Sequence, residues 1–234
     1  MVGPTKMPKV PSAFGYNTVV QPIISSANLI TGLTLAGATG TNGQVLTSAG
    51  SGLPTWTSLS SGALVFISSQ TVTTAVASVD FTAGVNSTYD DYYIIFSNFV
   101  VDAGGRLGLR LRQVTTFKTA SYVNLHLNVQ AGSVIASGFS TTDTFIMANN
   151  GGTPDSNGYW SGYFTLSSAN SATRRVPAVN GYVGCVGNTG ASSTIQSFSG
   201  AQDVAGVITG FQLLSRSGSN LTSGTVTLYG IKKS

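Results

Sequence analysis

Apolar and polar residues alternate in short runs along most of the chain after residue 60. Stretches such as 92–101 and 159–166 combine β-branched and aromatic residues with the two-residue period of a strand. Groups rich in Gly, Asn and Ser separate these runs, and long stretches of helix-forming residues are missing. The pattern predicts an all-β fold in which two sheets pack as a jelly-roll-like β-sandwich.

The predicted sandwich opens with a strand at 63–67. Further predicted strands follow at 71–81, 92–101, 106–114, 122–129, 134–138, 144–148, 159–166, 174–178, 181–186, 194–198, 207–214 and 224–231.

Before this region, residues 44–57 have the pattern of a β-hairpin. Residues 44–48 and 53–57 are strand candidates, and the Gly- and Ser-containing segment 49–52 is a turn candidate. A single hairpin is only marginally stable in water, so its apolar residues require a cover. Neighbouring copies of the chain could supply that cover. The predicted oligomer interface consists of Leu33, Leu35, Val45, Leu46 and Trp56.

Charge is distributed very unevenly. Residues 10–79 contain no Asp, Glu, Lys or Arg, and charged residues make up only 8% of the chain. Soluble monomers usually contain about a quarter charged residues. Uncharged hydroxyls and amides can be buried between subunits at lower cost than charges. The segment therefore indicates an assembly protein, and apolar runs too short for a membrane span argue against membrane insertion.

Two parts of the chain are predicted, with a boundary at the Ser60-Ser61-Gly62 linker. Residues 1–60 form an extended anchoring and oligomerisation segment, and residues 61–234 form the β-sandwich. Prolines near the start favour an extended arm. Lys6, Lys9 and Val10 are its predicted contacts with a partner protein.

The composition argues against nucleic-acid binding, metal binding and catalysis. The net charge of +4 is dispersed, so no nucleic-acid partner is expected. A single cysteine, Cys185, is expected to be buried, and His126 is expected at a surface or interface. Asp90 and Asp91 suit a turn at a strand entry better than a metal site. No cofactor, metal site or catalytic residue is predicted, and the chain is expected not to be an enzyme.

A strand with three arginines leaves three interpretations open. In 106–112 the two-residue period places Arg106, Arg110 and Arg112 on one face and three leucines on the other. The arginines could form a solvated outer face, contact a neighbouring subunit, or bind an acidic glycan.

The polar loop at 149–158 leads directly to an aromatic cluster. Aromatic faces stack on sugar rings, while amides and carboxylates bond sugar hydroxyls. A plain hairpin loop with partly buried aromatics is the alternative. The candidate glycan contacts are Asn150, Asp155, Tyr159, Trp160 and Tyr163.

Two regions resemble structural proteins of tailed-bacteriophage virions. One is GTNGQVLTSAGSGLPTW at residues 40–56. The other comprises FISSQTVTT at 66–74, YDDYYIIFSN at 89–98 and GTVTLYGIKK at 224–233. The resemblance implies an oligomer, most often a trimer, on the external surface of the particle. The N-terminal part would dock on another virion protein and the β-domain would point outward.

Three functional hypotheses follow. The first is a fibre-type virion protein whose β-sandwich adheres to the host surface, with a surface glycan as a candidate partner. The second is a capsid decoration protein or head fibre that stabilises the particle. The third, a glycan-degrading spike enzyme, is disfavoured because no paired acids are recognisable.

Overall fold

The computed structural model of the protein describes residues 39–58, 62–102, 105–130, 133–147, 158–173, 179–186 and 193–233. Fifteen β-strands lie in these ranges, which confirms the predicted all-β class. They are β1 (Gln44–Thr47), β2 (Thr55–Ser58), β3 (Leu64–Val72), β4 (Ser78–Phe81), β5 (Asp91–Val101), β6 (Leu107–Gln113), β7 (Thr116–Phe117), β8 (Tyr122–Gln130), β9 (Ser133–Asp143), β10 (Ile146–Met147), β11 (Tyr159–Leu166), β12 (Val179–Val186), β13 (Thr194–Gln202), β14 (Ile208–Ser215) and β15 (Leu221–Ile231).

Residues 39–58 belong to one compact unit, in which β1 and β2 form the predicted hairpin. The two strands are antiparallel, with Leu46 opposite Trp56. The hydroxyls of Thr47 and Thr57 lie 2.7 Å apart. The half-buried Trp56 ring covers Gly40, where an added Cβ would lie 2.7 Å from the indole. The hairpin is confirmed, and the assembly role of its apolar side chains stays a prediction.

The described residues from 62 onward belong to a second unit with two antiparallel sheets. The larger sheet has eight strands in the order β3-β15-β5-β11-β12-β13-β8-β9. The smaller has the order β10-β6-β14-β4, with β7 paired to β6. Apolar side chains of both sheets pack between them, so the predicted β-sandwich is confirmed.

Aromatic rings join the two sheets at the centre of the core. Phe211 on β14 stacks on Phe81 of β4 with ring centroids 4.6 Å apart. The edge of Phe164 on β11 meets the Phe211 ring at 5.4 Å and 89°. Such offset and edge-to-face pairs each add about 0.5–1.5 kcal/mol of stability beyond that gained by burying the rings.

The side chain of Cys185 is also buried, as predicted.

The predicted strand positions agree with most of the structure and fail at one crossing between sheets. The strand at 159–166 is confirmed by β11. A single strand over 71–81 is wrong, because β3 ends at Val72 and β4 begins at Ser78. Between them, Val76 exchanges backbone hydrogen bonds of 2.9 and 2.7 Å with Leu221, and the chain passes from the larger sheet to the smaller. The predicted strand at 174–178 lies outside the described residues.

Candidate functional site

The outer face of the eight-stranded sheet, which points away from the sandwich core, carries aromatic side chains on five adjacent strands, and five of these side chains, one from each strand, follow one another across the sheet. We call this set the aromatic row. It consists of Phe66 on β3, Tyr229 on β15, Tyr93 on β5, Tyr163 on β11 and Tyr182 on β12.

Strand register explains how residues so distant in sequence meet. Tyr229 pairs with both Phe66 and Tyr93, and Tyr163 pairs with Tyr182. The ring centroids of Phe66 and Tyr229 are 6.0 Å apart, those of Tyr93 and Tyr163 5.5 Å, and those of Tyr163 and Tyr182 6.3 Å. The rings therefore form two contacting groups, a pair on β3 and β15 and a set of three on β5, β11 and β12, which strand pairing places side by side.

Beyond the aromatic row, the same face becomes aliphatic on β13 and β8. Leu125 is 56% exposed and Leu127 is 46% exposed, and Ile195 is also exposed. Ser197 and Ser199 lie opposite the two leucines on the paired strand. Together these leucines and serines line an open depression with a volume of about 380 Å³, which we call the apolar depression.

The inner face of these strands is unusually polar. The side chains that point inward from β8 and β13 include the buried residues Asn124, His126, Asn128, Thr194, Gln196 and Gln202. Asn124 donates to the Asp143 carboxylate at 2.9 Å, and the Gln202 amide donates to the Ala120 carbonyl at 3.0 Å. These two strands therefore point polar side chains toward the core and leucines toward the outside. In a sheet with one face in water, apolar side chains normally point toward the core and polar ones outward.

Tyr122 at the start of β8 is a further buried polar group. Its hydroxyl accepts a hydrogen bond of 2.7 Å from the Leu111 backbone N–H and donates one of 3.1 Å to the Lys118 carbonyl. Burial raises the pKa of Tyr122 to about 12. The phenol therefore stays neutral and ties β8 to the smaller sheet.

The placement of His126 corrects the sequence-based expectation of a surface or interface residue. Its side chain is only 3% exposed, and an added Cβ on Gly138 would lie 2.5 Å from the imidazole. Burial, and then the positive charge of Arg216, lower the pKa of His126 below its ordinary value of 6.5, while Asp143 opposes the shift. The neutral imidazole is the form that the fold accommodates.

We expect the stability of the sandwich to fall as the pH drops below about 6.5. The unfolded chain binds a proton at His126 in that range, while the folded chain resists it until its lower pKa is reached. One proton changes the free energy of unfolding by at most about 1.4 kcal/mol per pH unit. Urea unfolding between pH 7.5 and 5.5 measures the slope, and His126→Gln should flatten it. An unchanged slope in this variant would rule out His126 as its source.

The outer face carries hydroxyls but almost no charge. Thr71 and Thr225 have hydroxyls 3.0 Å apart, and those of Ser69 and Thr227 are 3.1 Å apart. Among the described outward-pointing side chains of this face, Asp91, the first residue of β5, is the one charged group, and its carboxylate accepts the Ser168 N–H at 2.8 Å. The face is therefore suited to a neutral partner.

Asp90, next to Asp91, lies at the rim and has a structural environment. Its carboxylate pairs with the Lys233 ammonium and accepts from the Asn170 amide at 3.2 Å. The hydrogen bond from Lys233, followed by that from Asn170, lowers the pKa of Asp90. Both aspartates thus secure a strand entry, in agreement with the expected turn role.

The arginine strand is β6, where Leu107, Leu109 and Leu111 are buried as the alternation predicts. Arg110 lies over the Phe145 ring at 4.6 Å and donates to the Thr144 carbonyl at 3.2 Å.

Arg112 donates to the Thr209 hydroxyl at 3.1 Å. These contacts within the chain favour a structural role for Arg110 and Arg112, while an anionic contact at Arg106, Arg110 and Arg112 stays a prediction.

The predicted glycan contacts differ in their exposure to solvent. Tyr159 is 55% exposed and Tyr163 belongs to the aromatic row, so both remain accessible to a ligand. Trp160 points the other way and is 0% exposed, so its predicted sugar contact is wrong. Successive side chains of β11 lie on opposite faces, and the tryptophan faces the core. Asn150 and Asp155 lie outside the described residues.

The predicted anchor residues Lys6, Lys9 and Val10 also lie outside the described residues, as do the interface candidates Leu33 and Leu35. In the described part of the chain, no group of three or more His, Cys, Asp or Glu residues could hold a metal ion. No helix among the described residues is long and apolar enough to cross a membrane.

Comparison with known proteins found no family model, curated protein or solved structure that matches this chain. The aromatic row and the apolar depression were missed by sequence reasoning. Their only signal in the sequence is the repeated placement of aromatic or aliphatic residues on the strand face opposite the core.

Proposed function

We propose that this chain is a non-enzymatic structural protein of a tailed-bacteriophage virion. In this proposal it is fibre-type: residues 1–60 attach it to another virion protein, and the β-sandwich lies on the external surface of the particle and adheres to the host. The sequence resemblance at residues 40–56 and in the later segments supports the virion setting.

The observation that carries the proposal is the outer face of the eight-stranded sheet, with its exposed aromatic and aliphatic side chains. Its aromatic row, apolar depression and scarcity of charge are typical of a surface that is covered in an assembly. Large exposed apolar patches on a lone soluble domain risk aggregation. In an assembly, a neighbouring protein would cover this face and remove that risk.

Adhesion is proposed for the end of the sandwich where β11 begins. Tyr159 there is exposed and follows the predicted polar loop directly. Its flat ring could stack on a neutral sugar of the host surface, with loop amides bonding the hydroxyls. This contact uses the strand end and leaves the aromatic row for assembly.

The same apolar face also favours a second candidate function, a capsid decoration protein or head fibre. A protein that stabilises a particle needs broad, neutral contacts more than a receptor site. The two candidates differ in where the chain is located on the particle.

Locating the chain on purified virions tests the proposal. Virions are collected from a culture that produces the chain, and immunogold labelling with an antibody against the sandwich is viewed by electron microscopy. We expect label on the outside of the particle, at the tail for a fibre and over the head for decoration. Virions that lack the chain by mass spectrometry would contradict both candidates.

A competition assay tests adhesion separately. Excess purified chain should slow adsorption of virions to host cells, and Tyr159→Ala should weaken that competition. Val114→Asp, at an exposed turn on the smaller sheet, is the matched control and should compete as well as the unaltered chain. Absence of competition by the unaltered chain would favour decoration.

A further inference from the structure

We infer that Asn98, which a bulge in β5 turns toward the outer face of the eight-stranded sheet, is the residue that selects the sugar bound beside Tyr159. With Ser161 and Gly184 these residues form a subsite for one neutral sugar ring that carries two adjacent free hydroxyls. We call the four residues the Asn98 notch. The inference rests on the proposed adhesive function and deepens it by naming the polar side chains that recognise the sugar.

The bulge at Asn98 is visible in the register of β5 with both of its neighbours. Ser97 and Asn98 together lie opposite the single residue Ser161 of β11. On the other side, Asn98 and Phe99 lie opposite the single residue Gly224 of β15. A bulge of this kind interrupts the alternation of a strand and re-aims a side chain. The side chain of Asn98 is therefore exposed, and that of Phe99 returns to the core.

Hydroxyl groups of the flanking strands hold the backbone of Asn98. Its N–H donates to the Ser161 hydroxyl at 3.0 Å, and the Ser223 hydroxyl donates to its carbonyl at 2.8 Å. The φ angle of Asn98 is 56°, in the left-handed region that asparagine adopts more readily than most residues. The carboxamide is thus presented to solvent from a backbone that is fixed on both sides.

The notch has open space above its floor. Gly184 points outward opposite Ser161, and the nearest atom to an added Cβ at Gly184 is 3.9 Å away. Tyr159, 55% exposed, lies two residues before Ser161 on the same face, and the exposed Tyr163 lies two residues after it. The Cα atoms of the two tyrosines are about 13 Å apart by the rise of a strand. A sugar ring placed over Ser161 therefore has the ring of Tyr159 beside it.

The chemistry of the notch defines the class of sugar. A carboxamide donates through its nitrogen and accepts through its oxygen, so Asn98 can bond two adjacent hydroxyls of one ring. The oxygen of Ser161 already accepts the Asn98 N–H, which leaves its proton for a third sugar hydroxyl. The Tyr159 ring offers an apolar face to the C–H groups of the sugar. None of the four residues is charged, so an acidic sugar would find no counter-charge here.

A peptide partner fits this position less well. Peptides that bind to sheets usually add a strand to a free edge. The strands of the notch, β5, β11 and β12, are each paired on both sides within the larger sheet. Backbone groups are therefore not offered to a partner, and side chains must carry the recognition.

Binding of the full chain to an array of neutral and acidic microbial polysaccharides tests the subsite. The fluorescently labelled chain should bind neutral members, and periodate treatment of those members should abolish binding, because periodate cleaves the bond between carbons that carry adjacent hydroxyls. Binding to no neutral member, or only to acidic ones, would overturn the inference. Binding that survives periodate would overturn the role of adjacent hydroxyls.

Asn98→Gly removes the carboxamide and keeps the backbone, because glycine adopts a positive φ without strain. We expect the dissociation constant for the bound polysaccharide to rise about tenfold or more. Ser121→Gly is the matched control, since Ser121 also has a positive φ, 63°, and lies just before β8, three strands from β11. This control should bind as well as the unaltered chain.

Gly184→Val provides a second variant that fills the notch. The position has space for a side chain and valine suits a strand, so circular dichroism should show an unaltered fold. Binding of the polysaccharide should be lost, because the added methyl groups occupy the place of the sugar. If Asn98→Gly and Gly184→Val both bind like the unaltered chain, the notch is not the subsite, even where Tyr159→Ala weakens binding.

These outcomes differ from failure of the proposed function. A chain that binds a neutral polysaccharide through Asn98 but is absent from virions would refute only the virion role. A chain located on the outside of virions that binds no neutral polysaccharide would refute only this inference.

Discussion

Replacing Trp160 by alanine is expected to destabilise the sandwich by about 3–5 kcal/mol, the usual cost of truncating a large buried aromatic side chain. Trp160 is completely buried on β11, between Cys185 on β12 and Phe99 on β5 in the strand register. Its removal leaves a cavity that strands paired on both sides can fill only partly. Urea unfolding followed by far-ultraviolet circular dichroism measures the loss.

The neighbouring residue supplies the control for this experiment. Tyr159→Ala removes an exposed ring from the same strand and should change the free energy of unfolding by less than about 0.5 kcal/mol. Both variants are compared at one protein concentration, since self-association adds to apparent stability. Similar losses for the two variants would contradict the opposite placement of their side chains.

Gly162→Ala is expected to cost about 1–3 kcal/mol or more, because no space exists for a Cβ at this position. An added Cβ would lie 2.1 Å from the Tyr182 carbonyl oxygen and 2.9 Å from Phe96 Cζ. The carbonyl belongs to the adjacent strand, so relief requires the backbone to move. Thermal or urea unfolding of the full chain gives the size of the effect.

Gly184→Ala on the adjacent strand β12 is the matched control. The nearest atom to an added Cβ there, the Ser161 carbonyl oxygen, is 3.9 Å away, which is an ordinary contact. We expect the free energy of unfolding to change by no more than about 0.5 kcal/mol. A small increase in stability is possible in that range, because alanine has less conformational freedom than glycine in the unfolded chain. The prediction fails if Gly184→Ala proves as costly as Gly162→Ala.

The sequence alone was enough for the all-β class, the hairpin and most strand positions. These features depend on local signals: alternation within a strand, turn residues between strands and the lack of helix formers. The strand at 159–166 and the buried leucines of β6 show this clearly. The single strand predicted over 71–81 failed because its interruption depends on a distant contact, the bridge from Val76 to Leu221.

In β8 and β11, only the tertiary structure decided which face of the strand is buried. Alternation in β8 separates His126 from Leu125 and Leu127, and the usual preference would place the leucines inside, but the structure buries the histidine. In β11 the same alternation separates Trp160 from Tyr159, although their proximity in sequence suggested one aromatic cluster.

The candidate site depended on tertiary structure for the same reason. The aromatic row joins residues from 66 to 229 through the order and register of five strands. Strand order is set by the packing of the two sheets and by long-range pairing, which local patterns do not encode. The sequence determined that the chain is a weakly charged β-protein. Its tertiary structure decided that the aromatic side chains of distant strands meet on the outer face of one sheet.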